Sequence, residues 1–339
     1  MRKIYNCDLL NSGLHFTPDN LRFCCAPAYW GPNIDSKTPE KKEIFNKLME
    51  MRTKALEDMR NHIGHKNCIG CIYLKEYDLD SPDTPKDILE KQTKDPLISN
   101  IVINHYKQCD CHCIYCTQSD YLKKIVTKPQ KGDYYDLFPI IKQFYKEKLI
   151  DSKNLRIEFQ GGSIGVLKEF PDLVKIFLKN GARDIQFFTN GIRYMPQIVD
   201  SAKKTKTSIV CSLDCGTRET FKRMKIVDKF DDVVKNIKKY KDKAKERIEI
   251  DLKYILIEGF NDNEEEFLKF MDIAEYTGVD MVQLDMDFKK VMINKGVHYD
   301  VPEHYYRLYD LYKEECLKRG IRPFIWEYIQ GILDKGYFE

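Results

Sequence analysis

Four cysteines lie close together in the segment NIVINHYKQCDCHCIYC, directly after a short apolar run. Three residues separate Cys109 from Cys113, and two separate Cys113 from Cys116. Cysteine thiolates normally hold each iron of a [4Fe–4S] cube, so three thiolates from one loop leave one iron open to a substrate or cofactor. The spacing therefore predicts a cluster with an open iron on these three cysteines, and Cys111 is the bystander.

A zinc site is the alternative for this loop. Cys109, Cys111, Cys113 and Cys116 could supply four thiolates to a single ion. Cysteines at alternate positions crowd a tetrahedral centre, however, because such centres usually use cysteine pairs with two to four residues between them. The spacing of the loop favours iron–sulfur chemistry over zinc.

The composition limits the partners and the location of the protein. Charged residues make up 32% of the 339 residues but nearly cancel to a formal net charge of +3, which argues against a nucleic-acid-binding surface. No apolar run approaches the roughly 18 residues that span a bilayer, and the opening MRKIYNCDLLNSG lacks the features of a signal peptide. The expected location is cytoplasmic, where twelve cysteines indicate metal binding rather than disulfides.

Strand and helix patterns alternate in the middle of the chain. Apolar strand candidates lie at 100–104, 155–160, 184–188, 207–213, 248–256 and 280–286. Helical candidates separate them near 136–149, 166–180, 193–204, 216–225, 231–245 and 264–277. Six βα units predict an α/β fold with a parallel sheet, curled into a partial (β/α)₆ barrel, and a flat doubly wound sheet is the alternative.

Four segments follow from the composition. Residues 1–75 carry five cysteines, a helix predicted over 39–62, and a hairpin predicted in LHFTPDNLRFCC, where Pro-Asp-Asn supplies the turn. Residues 76–97, with three prolines and many charges, are predicted to be a linker. Residues 98–300 are predicted to form the partial barrel, and residues 301–339 a helical extension.

The loop after the first barrel strand resembles the CxxxCxφC motif of the radical S-adenosylmethionine (radical SAM) superfamily, with Tyr115 at the aromatic position. The resemblance implies that the open iron chelates the amino and carboxylate groups of S-adenosylmethionine. One electron from the cluster would then cleave the sulfonium C–S bond and give a 5′-deoxyadenosyl radical, with the protein supplying position and shielding.

The same resemblance implies a radical enzyme with a definite set of partners. The radical would abstract a hydrogen atom from a substrate carbon, leading to oxidation, cross-linking or epimerisation. The substrate would be a peptide or protein side chain, or a sugar-like metabolite, and a flavodoxin or ferredoxin would supply electrons. An electron-transfer protein or a zinc-dependent binding module are the alternatives.

Later strand ends also resemble the superfamily. The second strand ends EFQGGS, where a serine takes the place of the usual glutamate, and the third ends FFTNG. The fourth strand leads into VCSLDCGTRETFKRMK, which carries a serine, an aspartate on the same strand face, and an arginine on the next helix. With the aromatic residue of the loop, the resemblance implies these cofactor-binding residues: Tyr115, Gly161, Gly162, Ser163, Asn190, Ser212, Asp214 and Arg223.

Polar residues alternate with apolar ones in the fifth and sixth strands. Lys253 and Asp285 are expected to pair, since inward-facing polar groups in a barrel either pair or line a site. Asp287, nearest the carboxyl end of its strand, is a candidate for substrate contact or proton transfer. Asn261 or Asp262 is expected to cap the helix that follows the fifth strand.

The amino-terminal cysteines form a second candidate metal site. Cys68 and Cys71 form a CxxC pair, and Cys7 with Cys24 or Cys25 completes four ligands. Four thiolates close a cluster fully, as in an electron carrier or a structural centre, and zinc uses the same ligands. The pattern resembles the auxiliary-cluster domain called SPASM, which implies a second [4Fe–4S] cluster on Cys7, Cys24, Cys68 and Cys71.

Three cysteines remain outside both groups. They are Cys211, Cys215 and Cys316. Some radical SAM enzymes quench a substrate radical with a cysteine hydrogen atom, and Cys215 is the candidate for that role because it follows a strand end. A small buried hydrophobic residue is the alternative interpretation.

Overall fold

The structure is a computed structural model, and it describes residues 2–18, 20–24, 41–64, 68–69, 71, 73–91, 93–116, 135–287 and 301–335. Cys25 and part of the predicted hairpin turn lie outside the described residues. The chain divides into two compact units. The first unit contains residues 1–106, 130–161 and 175–184, and the second contains residues 107–129, 162–174 and 185–339.

The described part of the chain contains these strands: β1 (Lys3–Asn6), β2 (Gly13–Phe16), β3 (Leu21–Arg22), β4 (Lys75–Asp78), β5 (Asn100–Ile103), β6 (Arg156–Phe159), β7 (Asp184–Thr189), β8 (Lys206–Ser212), β9 (Ile248–Leu256), β10 (Met281–Met286) and β11 (Arg322–Ile325).

The helices in the same ranges are α1 (Asp8–Ser12), α2 (Lys41–Arg60), α3 (Lys86–Glu90), α4 (Phe138–Lys146), α5 (Phe170–Lys179), α6 (Pro196–Ala202), α7 (Arg218–Lys225), α8 (Phe230–Ala244), α9 (Glu264–Thr277), α10 (Glu303–Arg319) and α11 (Glu327–Lys335). All six predicted barrel strands occur, as β5 to β10, and each predicted helix between them occurs within a few residues of its expected bounds.

The first unit builds a sheet around β5. Strand β2 pairs with β5 in parallel, β5 pairs with β6 in parallel, and β3 pairs with β2 in antiparallel orientation. The predicted hairpin is therefore confirmed, and it extends the sheet beyond β5. At its start, a Cβ on Gly13 would lie only 2.5 Å from the Leu9 carbonyl oxygen, so the chain turns tightly between α1 and β2.

The second unit carries the carboxyl half of the sheet, in the order β7-β8-β9-β10-β11. Strands β8, β9, β10 and β11 pair in parallel with their neighbours. Helices join these strands, as parallel pairing requires. The predicted α/β fold with a parallel sheet is confirmed, and β11 leaves this end of the sheet as an open edge.

Two segments differ from their predicted character. Residues 76–97, predicted as a linker, include most of β4, which pairs with β1 in antiparallel orientation, and the short helix α3. Residues 301–339, predicted as helical, also contain β11, which pairs in parallel with β10. Neither strand has the usual strand pattern, because β4 carries several charges and β11 contains a proline. Their partner strands are distant in sequence, so no local signal indicates the pairing. Among the described residues, no helix has the length and apolar character needed to cross a membrane.

Candidate active site

The cysteine loop holds its sulfurs in two different environments. Cys109, Cys113 and Cys116 are half-buried, whereas Cys111 is only 3% exposed. The backbone N–H of Cys111 donates to Cys109 Sγ at 3.4 Å. Burial therefore separates Cys111 from the three cysteines of the predicted ligand set.

Helix α7 holds this loop through its carboxyl end. The N–H of His112 donates to the carbonyl oxygen of Lys225 at 3.0 Å, and the N–H of Ile114 donates to that of Met224, also at 3.0 Å. The last carbonyls of a helix have no partner within it, so the cysteine loop satisfies two of them. Ile226 follows in the left-handed region, with φ of 57°, and ends the helix.

Tyr115, Asp214 and Lys225 form a buried hydrogen-bonded group beside the loop. The Tyr115 hydroxyl donates to Asp214 Oδ2 at 2.5 Å. Lys225 Nζ donates to the same carboxylate oxygen, to the Tyr115 hydroxyl, and to the carbonyl oxygen of Ser212 at 2.9 Å. The Lys225 and Asp214 side chains are 2% and 0% exposed, so this ion pair is shielded from water.

Lys225 was not predicted from the sequence, although a signal exists. It lies four residues after Phe221 and next to Met224, and both of those residues are fully buried on α7. A lysine on the apolar stripe of a helix is rare unless a partner awaits it. Burial acts to lower the pKa of Lys225, but the charges of Asp214, Cys113 and Cys111 and the hydrogen bond to Asp214 together outweigh it and raise the pKa above its ordinary value.

Asp214, just after the carboxyl end of β8, is held by hydrogen bonds to both its side chain and its backbone. Its backbone lies in the left-handed region with φ of 63°, which aspartate tolerates better than most residues. Its Oδ1 accepts from the N–H of Ile255 at 3.1 Å, and its carbonyl oxygen accepts from Asn261 Nδ2 at 2.7 Å. Asn261 is fully buried and does not cap α9; Asn263 does so instead, by accepting from the N–H of Glu266.

Asn190, at the tip of β7, points to the cysteine loop. Its Nδ2 donates to Asp110 Oδ1 at 2.6 Å and lies 3.4 Å from Cys111 Sγ. Arg193 Nε holds the other oxygen of Asp110 at 2.8 Å. Asp110 is 6% exposed, so Asn190 and Arg193 together anchor the start of the loop to the segment after β7.

The glycines after β6 permit close backbone approach. Gly161 has φ of 97°, and a Cβ there would lie 2.0 Å from Asn104 Oδ1. A Cβ on Gly162 would lie 2.0 Å from the carbonyl oxygen of Gln108, the residue before Cys109. The next residue, Ser163, is buried and donates its N–H to that same carbonyl oxygen at 2.8 Å.

Replacing Gly162 with alanine is expected to displace the stem of the cysteine loop. The obstacle is a backbone carbonyl that cannot rotate away, so we expect a cost of about 1–3 kcal/mol and reduced iron loading. Denaturant midpoints and iron content would measure both effects. Gly331→Ala in α11, where a Cβ meets nothing within 4 Å, is the control; it should keep the full iron content and lose no stability, because alanine forms helix better than glycine. Full iron loading in Gly162→Ala would contradict the expectation.

The thiols of the loop differ in acidity. A hydrogen bond from Cys111 lowers the pKa of Cys113, and the charge of Lys225 adds to this, so that the pKa reaches about 7 despite burial. Hydrogen bonding to Cys109 and Cys113 raises the pKa of Cys111. Thiolates bind iron, and a thiol with a lowered pKa binds it more readily. The donor set of the loop, a group of thiols of which one ionises readily, therefore fits iron–sulfur chemistry.

The other predicted residues of this region lie near the loop after β9 or inside the core. Arg223 Nη2 donates to the Gly259 carbonyl oxygen at 3.4 Å, and its guanidinium lies 4.9 Å from the Phe260 ring centroid. Cys215 is completely buried, and its Sγ donates to the Leu213 carbonyl oxygen at 3.3 Å. Burial raises the pKa of the Cys215 thiol well above its ordinary value.

One face of β9 and β10 is polar, as the sequence predicts. Lys253 Nζ pairs with Asp285 Oδ2 at 2.9 Å, which confirms the expected pair. Asp287 is half-buried directly after β10. Ser212 lies opposite Lys253 in the register of β8 with β9, so it shares this polar face.

Asp251, on the same face, carries a buried carboxyl group. It is 2% exposed, and its Oδ1 has no hydrogen-bond partner among the described residues. Burial, and then the charge of Glu249, raise its pKa to about 7, against an opposing effect of Arg322. The folded protein therefore retains this proton in a pH range where the unfolded chain has lost it.

Asp251→Asn is expected to flatten the pH dependence of stability. The carboxyl stabilises the fold below its unfolded pKa of 3.8, and this contribution is lost as the pH rises to about 7, at up to about 1.4 kcal/mol per pH unit. The variant should therefore exceed the wild type in stability at pH 8 but not at pH 4. Urea midpoints across this range test it, with Asp242→Asn on the exposed face of α8 as control. An unchanged pH profile would refute the expectation.

The amino-terminal cysteines come from three separate segments of the first unit. Cys7 directly precedes α1 as its N-cap residue, and the backbone amides of Leu10 and Leu9 act to lower the pKa of its thiol, although burial raises that pKa overall. Charges on Cys71 and Cys68 also act on Cys7. Cys68 and Cys71 close a turn, in which the N–H of Cys71 donates to the carbonyl oxygen of Cys68 at 2.9 Å. Amides directed at a sulfur favour its thiolate form, as a metal ligand requires.

Comparison with known proteins places the chain in a family. A sequence model of the radical SAM superfamily matches residues 103–271, which run from the end of β5 through the cysteine loop into α9. The chain belongs to the radical SAM superfamily, whose members use a [4Fe–4S] cluster and S-adenosylmethionine.

Curated relatives have different activities. A probable GTP 3′,8-cyclase of Saccharolobus islandicus is 26% identical over 184 residues, which cover 52% of this chain and 53% of that protein. A probable dual-specificity RNA methyltransferase RlmN of Petrotoga mobilis is 25% identical over 254 residues, covering 69% and 70%. The chain thus spans about half the length of the cyclases that it matches.

Solved structures share the fold. Streptococcus suis SuiB, bound to its precursor peptide SuiA, superposes with a TM-score of 0.52 at 12% identity, covering 96% of this chain and 71% of that one. The structure of anSMEcpe with bound AdoMet gives a TM-score of 0.50 at 17% identity, covering 68% and 61%. At these identities the likeness establishes the fold alone.

Proposed function

We propose that this chain reductively cleaves S-adenosylmethionine to a 5′-deoxyadenosyl radical that abstracts a hydrogen atom from a substrate carbon. The observation that carries the proposal is the cysteine loop, in which Cys109, Cys113 and Cys116 are half-buried while Cys111 is enclosed. When bound there, a [4Fe–4S] cluster supplies the electron for C–S cleavage. The residues of the chain hold the loop, position the cofactor and exclude water.

We assign the cofactor to the strand ends around this loop. Gly161 and Gly162 leave the backbone accessible, and the Ser163 hydroxyl would accept a hydrogen bond from the methionine ammonium without the negative charge that a carboxylate would add. Ser212 is the last residue of β8 and lies on the polar face that β8 shares with β9. Arg223 has its guanidinium next to the turn after β9 and would meet the methionine carboxylate there.

The reaction after hydrogen abstraction is proposed to be an oxidation or a cross-link. Epimerisation through Cys215 is disfavoured because this thiol is completely buried and donates to its own turn. Asp287, half-buried after β10, is proposed to contact the substrate or accept its proton. The amino-terminal cysteines would hold a second cluster, which offers a path for the second electron of an oxidation.

A peptide or protein side chain is the proposed substrate, with a sugar-like metabolite as the alternative. SuiB, which shares this fold, has been crystallised with its precursor peptide. A flavodoxin or ferredoxin is proposed as the reductant, since the first electron must come from outside the protein. The net charge of +3 gives no support to a nucleic-acid substrate.

Anaerobic incubation with S-adenosylmethionine and dithionite tests the proposal. The protein, purified without oxygen and with its clusters reconstituted, is expected to release 5′-deoxyadenosine and methionine. Full clusters without cleavage would indicate an electron-transfer protein. Zinc without iron or sulfide would indicate a binding module, and either result overturns the proposed function.

A further inference from the structure

We propose that Lys225 and Asp214 are positioning residues that act through Tyr115 on the cysteine loop and set the reduction potential of its cluster by two opposed charges. This inference rests on the proposed function, because it requires the cluster on Cys109, Cys113 and Cys116. It adds a role for Lys225, the last residue of the segment VCSLDCGTRETFKRMK.

The first step is the contact between the charge pair and the loop. Tyr115 lies between Cys113 and Cys116 in sequence, and its hydroxyl donates to Asp214 Oδ2 at 2.5 Å. Lys225 Nζ lies 5.1 Å from the centroid of the Tyr115 ring and donates to its hydroxyl. The tyrosine therefore links the charge pair to the part of the loop that lies between two of the proposed cluster ligands.

The second step is that the end of helix α7 contacts the cysteine loop through its backbone carbonyls and also carries the charged side chain of Lys225. The carbonyl oxygens of Met224 and Lys225 accept hydrogen bonds from Ile114 and His112 of the loop. The side chain of Lys225 turns back to Asp214 beneath that loop. A shift of the loop would break the backbone contacts and the side-chain contacts together, so its position is tied to the end of α7.

Stability alone does not account for such a pair. Replacing a buried ion pair with apolar residues is often neutral or stabilising, because two charges lose their water. Charges beside a redox centre have a direct effect, however. Reduction adds an electron, so a nearby cation stabilises the reduced form and a nearby anion disfavours it, and burial strengthens both effects. Lys225 and Asp214 should therefore act in opposite directions.

Each partner keeps hydrogen bonds to other groups when the other partner is removed. In Lys225→Met, the Asp214 carboxylate still accepts from the Tyr115 hydroxyl and from the N–H of Ile255. In Asp214→Asn, the Lys225 ammonium still donates to the Ser212 carbonyl and the Tyr115 hydroxyl. The single variants therefore test one charge at a time.

Redox titration followed by electron paramagnetic resonance tests the inference on the cluster-loaded protein. Lys225→Met should make reduction less favourable by about tenfold, equal to about 59 mV for one electron. Asp214→Asn should shift the potential in the opposite direction by a similar amount, and the double variant should return near the wild type. Lys222→Met, on the exposed face of the same helix, is the control and should leave the potential unchanged because solvent and salt screen it.

Two shifts of the same sign, or none, would overturn the inference, because a merely structural role moves both variants alike. If Lys225→Met fails to bind the cluster, Tyr115→Phe decides instead. This variant keeps the ring but loses the hydroxyl that contacts both Asp214 and Lys225, so its potential should differ from that of the wild type, and an unchanged potential counts against the inference. A wild-type protein that forms no reducible cluster would refute the proposed function itself, which separates the two failures.

Discussion

Alanine at Cys109, Cys113 or Cys116 is expected to remove the iron of the loop cluster and to abolish cleavage of S-adenosylmethionine. Each of the three supplies one thiolate, and a cube with two protein ligands loses iron readily. Alanine at Cys111 is expected to leave both properties in place, because this thiol is 3% exposed and has its neighbours within the loop. Iron and sulfide content, with 5′-deoxyadenosine release, are the measurements.

The contrast between Cys111→Ala and the other three variants is the decisive comparison. All four change one cysteine of the same loop to the same residue, so general damage to the loop would affect them equally. The sulfurs of Cys109 and Cys111 and a carboxylate oxygen of Asp110 lie within 4.8 Å of one another, so proximity alone does not select the ligands. Loss of iron in Cys111→Ala with retention in Cys109→Ala would reassign the ligand set.

The fold was largely predictable because its signals are local. Strands β5 to β10 are short apolar runs with helices between them, and a parallel sheet follows from that alternation. The cysteine loop was recognisable for the same reason, since its proposed ligands lie within eight residues of one another. The polar face of β9 followed from alternation, and the pairing of Lys253 with Asp285 agrees with it.

What the sequence did not reveal depends on partners that are distant along the chain. Strand β4 pairs with β1 across about seventy residues, and its lysine and acidic residues resemble a solvated linker. Asn261 was expected to cap a helix, but its side chain instead bonds to Asp214, 47 residues earlier. Lys225 meets Tyr115 across 110 residues. Such buried polar pairs form only when the chain has folded, so the local pattern of apolar and polar residues gives little indication of them.

Serine at both Cys68 and Cys71 is expected to remove about four of roughly eight irons per chain while cleavage of S-adenosylmethionine with dithionite continues. The second cluster would be lost because two of its four thiolates are gone, whereas the chemical reductant still reaches the loop cluster directly. Turnover of a substrate that must lose a second electron should fall strongly.

Cys316→Ser, a change at a cysteine completely buried in α10, controls for the loss of a thiol and should keep the full iron content. Metal analysis of the wild type also distinguishes the two chemistries of this site, because a zinc centre on Cys7, Cys24, Cys68 and Cys71 would give one zinc and leave only the iron of the loop. Retention of all iron in the double serine variant would remove these cysteines from the ligand set. In that case the Leu9 and Leu10 amides at Cys7 would serve only to start α1, and the second electron of an oxidation would have to leave by way of the loop cluster.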